Sequence, residues 1–575
     1  MLLKGKGVSK GIAVGEVFLY KPLELRIDET YISPEQVEET IQKYHACRET
    51  ARGELQLLQE RMGEEQEEKK KIFDAHKDIL YDIAMEEEIE NLISREYSNL
   101  DHAVCRIYDK YSEILSQIED ELMKERCKDI QDVKNRLLRI SQGKAQTSLS
   151  ELKSPVILCA KDLLPSDTAS LDREMVLAIA TEAGGATSHS AILARSYGIP
   201  AVLGVTELME QVNETETVIV DAANGVIITQ PSDEEVSLYR EECEKYQCTL
   251  EEMKTYRTMI PKTKDGERIK VGLNIGSAND EELGNAAFTD GVGLFRTEFL
   301  YMDREQMPGE EEQYQVYKKV LSAFSGKEVI LRTLDIGGDK QASCVEMPKE
   351  ENPFLGLRAI RLCFSRQELF KTQLKAAYRA SIHGKLSIMF PMVAGLDDIR
   401  RAKAVAAEVK RELDEEKLPY SQDVRIGIMV EIPSIAIMAA EAAKEVDFAS
   451  IGTNDLCQYL MAVDRLNPDV AAYYQTYHPA MFRLIGHVAE AFRREGKDVS
   501  VCGELGGDML AVPVLLGLGI QKISMGMAVL GEVKKLISGL EMSECKKQGE
   551  QIVKFTTAQD AEQYLKKSRN YNDRR

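Results

Sequence analysis

Apolar positions along the chain fall into three regimes with different periods. From Ser33 to about Ile140 they recur every three to four residues: Val37, Ile41, Tyr44, Ala51, Leu55, Leu58 and Met62 come first. The stretches Ile72–Ile93 and Ala103–Leu122 follow, then Ile130, Val133, Leu137 and Ile140. That period is helical. Ser33-Pro34-Glu35-Gln36 supplies a start: a hydroxyl cap, proline in the first turn and glutamine three places on. The apolar spacing breaks between segments, which favours an antiparallel bundle of four helices; one continuous coiled coil is the alternative.

On either side of the bundle the pattern shortens to strand-like runs. Residues 1–20 carry short runs with Gly5, Gly7, Gly11 and Gly15 as turns. Pro155–Ala160, Met175–Ala180 and Thr217–Ile228 follow, the last with an Asn224-Gly225 hairpin turn. These halves are expected to form one α/β domain into which the bundle is inserted. Ser232-Asp233-Glu234-Glu235 then caps a helix striped by Val236, Tyr239, Tyr246, Leu250, Met253 and Tyr256 and stopped by Pro261. It reads as a connector.

The remainder has a regular beat. Val271–Ile275, Gly291–Phe295, Val329–Leu334, Leu386–Met392, Ile426–Val430, Phe448–Ile451, Val499–Cys502 and Lys522–Met525 are short apolar runs, mostly separated by helical stretches. Eight such units predict a (β/α)8 barrel. The expected division is 1–25 plus 146–230 (α/β), 26–145 (bundle), 231–260 (connector), 261–540 (barrel) and 541–575 (a C-terminal tail). The fold class is multidomain α/β.

Composition narrows the function. The chain has 575 residues, 43% hydrophobic and 30% charged, with a formal net charge of −22. Several cores are needed at this length. The negative charge argues against general nucleic-acid binding and is compatible with a basic protein partner. Eleven cysteines without a CxxC pair suggest free thiols in a reducing compartment. No membrane-length apolar run and no signal peptide are seen, so the cytoplasm is the expected location.

Two places carry candidate chemistry. Gly184-Gly185-Ala186-Thr187-Ser188-His189-Ser190 runs into Ala191-Ile192-Leu193-Ala194-Arg195, which reads as the first turns of a helix. A helix N-terminus favours an anion, and His189 there is a candidate covalent nucleophile for a phosphoryl group. The other place is the set of barrel strand ends, where this fold keeps its catalytic groups. Arg296, Arg332, Asp335, Lys340, Glu431, Asn454, Asp455, Cys502 and Glu504 fall there, with Arg358 and Arg465 nearby. Arginines chelate phosphate and carboxylate oxygens. Glu431 and Asp455 suit Mg²⁺. Cys502 is poised to exchange a proton, or is a buried structural thiol.

Thr187-Ser188-His189, Leu331-Arg332-Thr333-Leu334-Asp335-Ile336-Gly337-Gly338-Asp339-Lys340, Glu351-Asn352-Pro353-Phe354-Leu355-Gly356, Ile451-Gly452-Thr453-Asn454-Asp455-Leu456 and Cys502-Gly503-Glu504 resemble the phosphoenolpyruvate-utilising enzymes. The layout from Gly7 to about Leu540 resembles the enzyme I branch of that family, which serves bacterial sugar uptake. The resemblance implies that His189 takes the phosphoryl group of phosphoenolpyruvate on Nε2. It implies that the bundle docks the small carrier HPr, which accepts that group, and that the barrel is the homodimerisation domain. It implies substrate contacts by Arg296, Arg332, Asn454, Asp455 and Arg465, with Lys340 and Arg358 as further candidates. Glu431 and Asp455 match its Mg²⁺ ligands, Cys502 its proton donor, and Thr168 a position that hydrogen-bonds the active histidine. Ala186 departs from the Arg or Met usual there. Because the histidine must meet both substrate and carrier, a swinging module is expected, with the connector and the two chain crossings into the bundle as hinges. A dikinase or phosphoenolpyruvate synthase is the rival enzyme, although no ATP-binding domain precedes Gly184. A catalytically idle carrier-binding regulator is the rival from another class. His76 and His102, in the bundle, are candidates to touch the carrier.

Overall fold

The computed structural model describes residues 1–572 apart from 22–24, 62–66, 117–120, 145–148, 150–151, 153, 164–166, 168–170, 173, 185–187, 303, 305, 339 and 341. The chain divides into two compact units, Met1–Leu250 and Glu251–Arg575. Among the described residues no helix is long and apolar enough to cross a membrane.

The first unit holds one eight-stranded sheet and a helical bundle. Strands β1 (Leu2–Lys4), β2 (Lys6–Ser9) and β3 (Ile12–Tyr20) precede the bundle. Strands β4 (Val156–Ala160), β5 (Val176–Thr181), β6 (Ala201–Leu203), β7 (Thr217–Asp221) and β8 (Val226–Thr229) follow it. They pair in the order β1-β8-β7-β3-β4-β5-β6-β2. Strand β3 sits between β4 (parallel) and β7 (antiparallel), so both flanks of the bundle do build one sheet. The run Thr217–Ile228 is two strands, β7 and β8, folded about Asn224-Gly225. Asp221 fixes that turn by accepting from the Asn224 backbone N–H at 3.0 Å and side-chain amide at 2.7 Å. In β4, Ile157 and Cys159 join the core on one face of the sheet, and Leu158 and Ala160 that on the other. A strand covered on both sides reads as an unbroken apolar run.

The bundle has five described helices rather than four: α1 (Val37–Arg61), α2 (Glu67–Leu80), α3 (Ile83–Arg95), α4 (Leu100–Ser116) and α5 (Glu121–Ser141). The expected stretch Ile72–Ile93 breaks because Asp82 turns extended and its Oδ1 accepts the Met85 N–H at 3.0 Å, an N-cap. Arg48 answers the other side of the break by donating to the Leu80 carbonyl at 3.1 Å. Leu122 belongs to α5, not to the helix before it. The α1 start follows the expected chemistry, with the Ser33 N–H donating to Gln36 Oε1 at 2.9 Å. Tyr44, Leu55, Phe73, Ile89, Val104 and Leu137 form its core. His76 is fully buried and pairs with Asp129 at 3.1 Å, so its side chain has no surface to offer a carrier.

The helix Asp233–Thr258 opens with a reciprocal cap. The Ser232 N–H donates to Glu235 Oε2 at 2.8 Å, and the Glu235 N–H to Ser232 Oγ at 3.2 Å. In the second unit β9 (Lys270–Ile275), β10 (Gly291–Arg296), β11 (Glu328–Arg332), β12 (Lys385–Phe390), β13 (Arg425–Val430), β14 (Phe448–Ile451), β15 (Asp498–Val501) and β16 (Lys522–Met525) close a parallel barrel. All eight expected runs supply a strand. One inward layer gathers Leu294, Ile330, Met389, Met429, Phe448 and Cys502. The register of β10 shifts between Val292 and Phe295 against β11, after which Arg296 lies opposite Arg332. Residues 541–575 are more than a tail. Met542–Ile552 and Ala558–Asn572 are helices, and Ile552, Ala561 and Leu565 pack on Phe482 and Val514. Arg483 ties the joint by donating to the Val553 and Phe555 carbonyls at 2.8 and 2.9 Å.

Candidate active site

The barrel strands deliver their last residues to a cavity of about 520 Å³ at the C-terminal mouth. Arg296, Arg332, Lys340, Glu431, Asn454, Asp455, Arg465 and Cys502 all line it. So most of the expected barrel residues meet in one place. Arg358 does not line it: the side chain is completely buried behind Asp335, which it holds at 2.9 Å. Its place is to position the carboxylates, with Tyr459 OH at 3.1 Å and Asp455 at 3.8 Å as its other neighbours.

The electrostatics centre on Asp335. This fully buried carboxylate meets Arg332 at 3.1 Å, Lys340 at 3.0 Å and Arg358 at 2.9 Å. Burial alone would raise its pKa, but the three cations outweigh that and hold it far below the usual carboxylate range. Glu298 pairs with Arg332 and, at 2.6 Å, with Lys340; it too is held down against burial. Sequence reading passed over Glu298. Strand alternation could not have found it, because β10 ends at Arg296 and Glu298 opens the short 3-10 turn that follows, buried where Arg296 is exposed. Arg296 is exposed and makes no ion pair among the described residues. It is a cation free to meet an anionic substrate.

A second missed residue is Gln373, wholly buried in the helix Gln367–Ala380. Its Oε1 accepts the Leu334 N–H at 2.8 Å, and its Nε2 donates to Thr297 Oγ1 at 3.0 Å and Tyr317 OH at 3.2 Å. Thr297 in turn donates to the Arg332 carbonyl at 2.9 Å. One amide thus ties the exits of β10 and β11 together. Nothing in a mid-helix glutamine announces this from sequence.

Glu431 and Asp455 both line the mouth. Burial, then Asp455, then Asp335 push the Glu431 carboxyl up to about 8. Its Oε1 accepts the Met392 N–H at 2.6 Å. Asp455 Oδ1 is buried without a hydrogen bond, although Arg358 and Arg465 lie 3.8 and 4.0 Å away. Two carboxylates that repel each other, one with an unanswered oxygen, fit a divalent cation of the Mg²⁺ kind, which takes one or two protein carboxylates and leaves its other positions to substrate oxygens. Gly452 belongs to the same cradle, since a Cβ there would stand 2.9 Å from Glu431 Oε2. Asn454 is oriented by Glu504: its Nδ2 donates to Glu504 Oε1, and its Oδ1 accepts the Glu504 N–H, both at 3.0 Å. Cys502 is 2% exposed, and burial above all lifts its thiol to about 11. It carries its proton at neutral pH, as a donor must.

One other His–Glu cluster exists among the described residues, at His45, Glu86 and Glu90 in the bundle. Arg48 already donates to Glu86 and lies 3.4 Å from His45 Nδ1, so that cluster has its cation.

In the first unit the helix His189–Tyr197 begins at the candidate nucleophile itself. Ser188 Oγ caps it by accepting the Ala191 N–H at 3.3 Å. Gly184 holds φ +101°, a left-handed conformation natural to glycine, and a Cβ there would come within 3.1 Å of Ser188 Oγ. Ala191, Leu193 and Ala194 seat the helix on the sheet with Leu158, Ile179 and Leu203. Arg195 fastens it to β2 by donating to the Val8 carbonyl at 3.1 Å. The His189 side chain, Thr168 and Ala186 lie outside the described residues.

Comparison with known proteins agrees with this layout. Residues 250–542 match the PEP-binding domain of the PEP-utilising enzymes, residues 4–126 their N-terminal domain and residues 152–225 their mobile domain. Over 569 residues the chain is 40% identical to a phosphoenolpyruvate-protein phosphotransferase of Listeria monocytogenes, covering 98% of this chain and 99% of that one. A Staphylococcus aureus protein of the same name is 41% identical over 565 residues, 97% of this chain and 98% of the relative. One from Priestia megaterium is 40% identical over 567 residues, 98% of each.

Proposed function

The chain belongs to the PEP-utilising enzymes, and from that membership we propose that it acts as a phosphoenolpyruvate-protein phosphotransferase. His189 takes the phosphoryl group of phosphoenolpyruvate, pyruvate leaves, and the group passes on to a protein acceptor. The observation that carries this reading is the convergence of Arg296, Arg332, Arg465, the Glu431–Asp455 pair and the protonated Cys502 in one cavity.

Each residue has a task in that reaction. Phosphoryl transfer asks for in-line positioning and for charge spread over the equatorial oxygens. Arg296, Arg332, Lys340 and Arg465 supply positive charge to the phosphate and the carboxylate, with Asn454 as a neutral donor. Asp335 and Glu298 hold Arg332 and Lys340 in place, so little reorganisation is needed when the substrate arrives. Glu431 and Asp455 would hold Mg²⁺, which when bound neutralises phosphate charge. Neutral His189 Nε2 attacks phosphorus as the bridging P–O bond breaks. The enolpyruvate so released takes a proton on carbon from the Cys502 thiol and becomes pyruvate; the thiolate is reprotonated from solvent. In this reading HPr is the acceptor and docks on the bundle, the barrel pairs with a second copy, and the phosphohistidine module serves substrate and acceptor in turn.

Mass spectrometry after mixing the protein with phosphoenolpyruvate and Mg²⁺ tests the reading. One acid-labile phosphate should map to His189 and be absent from His189→Ala. Stoichiometric labelling of His189→Ala, or none of the wild type, refutes it.

A further inference from the structure

The cavity at the barrel mouth is charged on nearly every side, yet one corner of it is not. Leu294, Met429 and the Cys502 thiol line it together and pack into a single cluster with Ile330, Met389 and Phe448. Leu294 is 3% and Met429 2% exposed, so neither has room to withdraw. The other apolar lining residue, Leu466, is 59% exposed and belongs to the rim.

The corner follows from the strands. Leu294 is two residues before Arg296 in β10, and Met429 is two residues before Glu431 in β13. Alternate strand residues share a face, so each strand sends one apolar side chain inward just beneath its charged one. Met429 is pinned. Arg332 Nη1 lies 3.7 Å from its sulfur, and a Cβ on Gly452 would come 3.1 Å from its Cγ and Sδ.

We propose that Leu294 and Met429 form the wall that receives the methylene end of the enol phosphate and thereby decide which enol phosphates the enzyme accepts. This rests on the reading of the site as a phosphoenolpyruvate site. The substrate has two anionic ends and one apolar end. The arginines, Lys340 and the carboxylate pair account for the anionic ends. The methylene carbon has to lie beside the proton donor, and the surfaces next to Cys502 are Leu294 and Met429. An enol phosphate with an added C3 methyl therefore meets a full wall. Removing atoms from that wall makes space for it, and Arg332, which loses its contact with the Met429 sulfur, keeps its ion pairs with Glu298 and Asp335. The step with the homologue is the same: the P–O bond breaks, the bond from His189 Nε2 to phosphorus forms, and Cys502 gives its proton to C3, releasing 2-oxobutanoate.

The test compares phosphoenolpyruvate with 2-(phosphonooxy)but-2-enoate on the full-length protein, with Mg²⁺ and HPr. Phosphate on His189 and the released 2-oxo acid are both read. A hydrophobic pocket discriminates one methylene by about 10–200-fold, so the wild type should prefer phosphoenolpyruvate within that range in kcat/KM. Met429→Ala should narrow the preference at least about tenfold, and Leu294→Val should move it the same way. Ile330→Val, in the same layer but not lining the cavity, should leave it unchanged. The preference is a ratio within each variant, so a loss of folded protein cancels, and the milder Leu294→Val covers failure of Met429→Ala to fold. Wild-type preference retained in both wall variants, or a wild type that takes both substrates equally, overturns the inference while labelling by phosphoenolpyruvate keeps the proposed function standing. Absence of labelling by phosphoenolpyruvate in the wild type sinks that function first.

Discussion

Asp335→Asn removes one negative charge from the middle of the ion network and almost no volume. The carboxylate is fully buried, and three cations lie within 3.1 Å of it. Arg332 and Lys340 keep Glu298. Arg358, also fully buried, keeps Asp455 at 3.8 Å as its one ion-pair partner among the described residues. Breaking a buried pair by removing one partner costs about 3–5 kcal/mol, because it leaves an uncompensated charge. The expected loss of barrel stability sits in that range. Arg358 should also draw Asp455 toward itself, away from the cation site, so the concentration of Mg²⁺ needed for half-maximal labelling should rise. The pH dependence has a definite sign. Asp335 is depressed below its unfolded value of 3.8, so its contribution is complete above about pH 4 and fades as pH falls toward its folded-state value. Denaturant unfolding at pH 7 and at pH 3 measures both quantities. A loss under about 1 kcal/mol at pH 7, together with unchanged Mg²⁺ dependence, would refute the claim that Asp335 organises the mouth.

Cys502 and Gln373 carry the remaining predictions. Cys502 has its thiol lifted from 9.0 to about 11, chiefly by burial, so at pH 8 only about one molecule in a thousand holds a thiolate there. Iodoacetamide at that pH should modify exposed Cys248 well before Cys502, and any alkaline loss of activity due to Cys502 should be half complete near pH 11 rather than 9. Cys502→Ala should slow pyruvate release about 10²–10⁴-fold while phosphate still reaches His189; normal turnover would mark the thiol as structural. Gln373→Leu leaves the buried Leu334 N–H without its acceptor, a cost of about 1–3 kcal/mol. It should slow labelling of His189 by phosphoenolpyruvate but leave transfer from already phosphorylated enzyme to HPr unchanged, and a slowed second transfer would point to general destabilisation instead.

The pattern of apolar residues by itself determined the barrel, the bundle and the interrupted sheet. Strand and helix periods are properties of a few consecutive residues, so each of the eight barrel runs can be picked out from its own short stretch of chain. Strand-end position then identified Arg296, Arg332, Glu431, Asn454, Asp455 and Cys502, because in a parallel barrel all strand ends of one sense share one mouth. The break at Asp82 was less legible, since one capping side chain outweighed a helical stripe that runs on past it. What only the tertiary structure decided was which charges meet. Arg358 and Asp335 are 23 residues apart in sequence and 2.9 Å apart in space, while Gln373 reaches two strand exits from the middle of a helix. Chain distance carries no information about such contacts. They arise when elements pack, and packing decides whether an arginine faces the cavity, as Arg296 does, or is buried behind it, as Arg358 is.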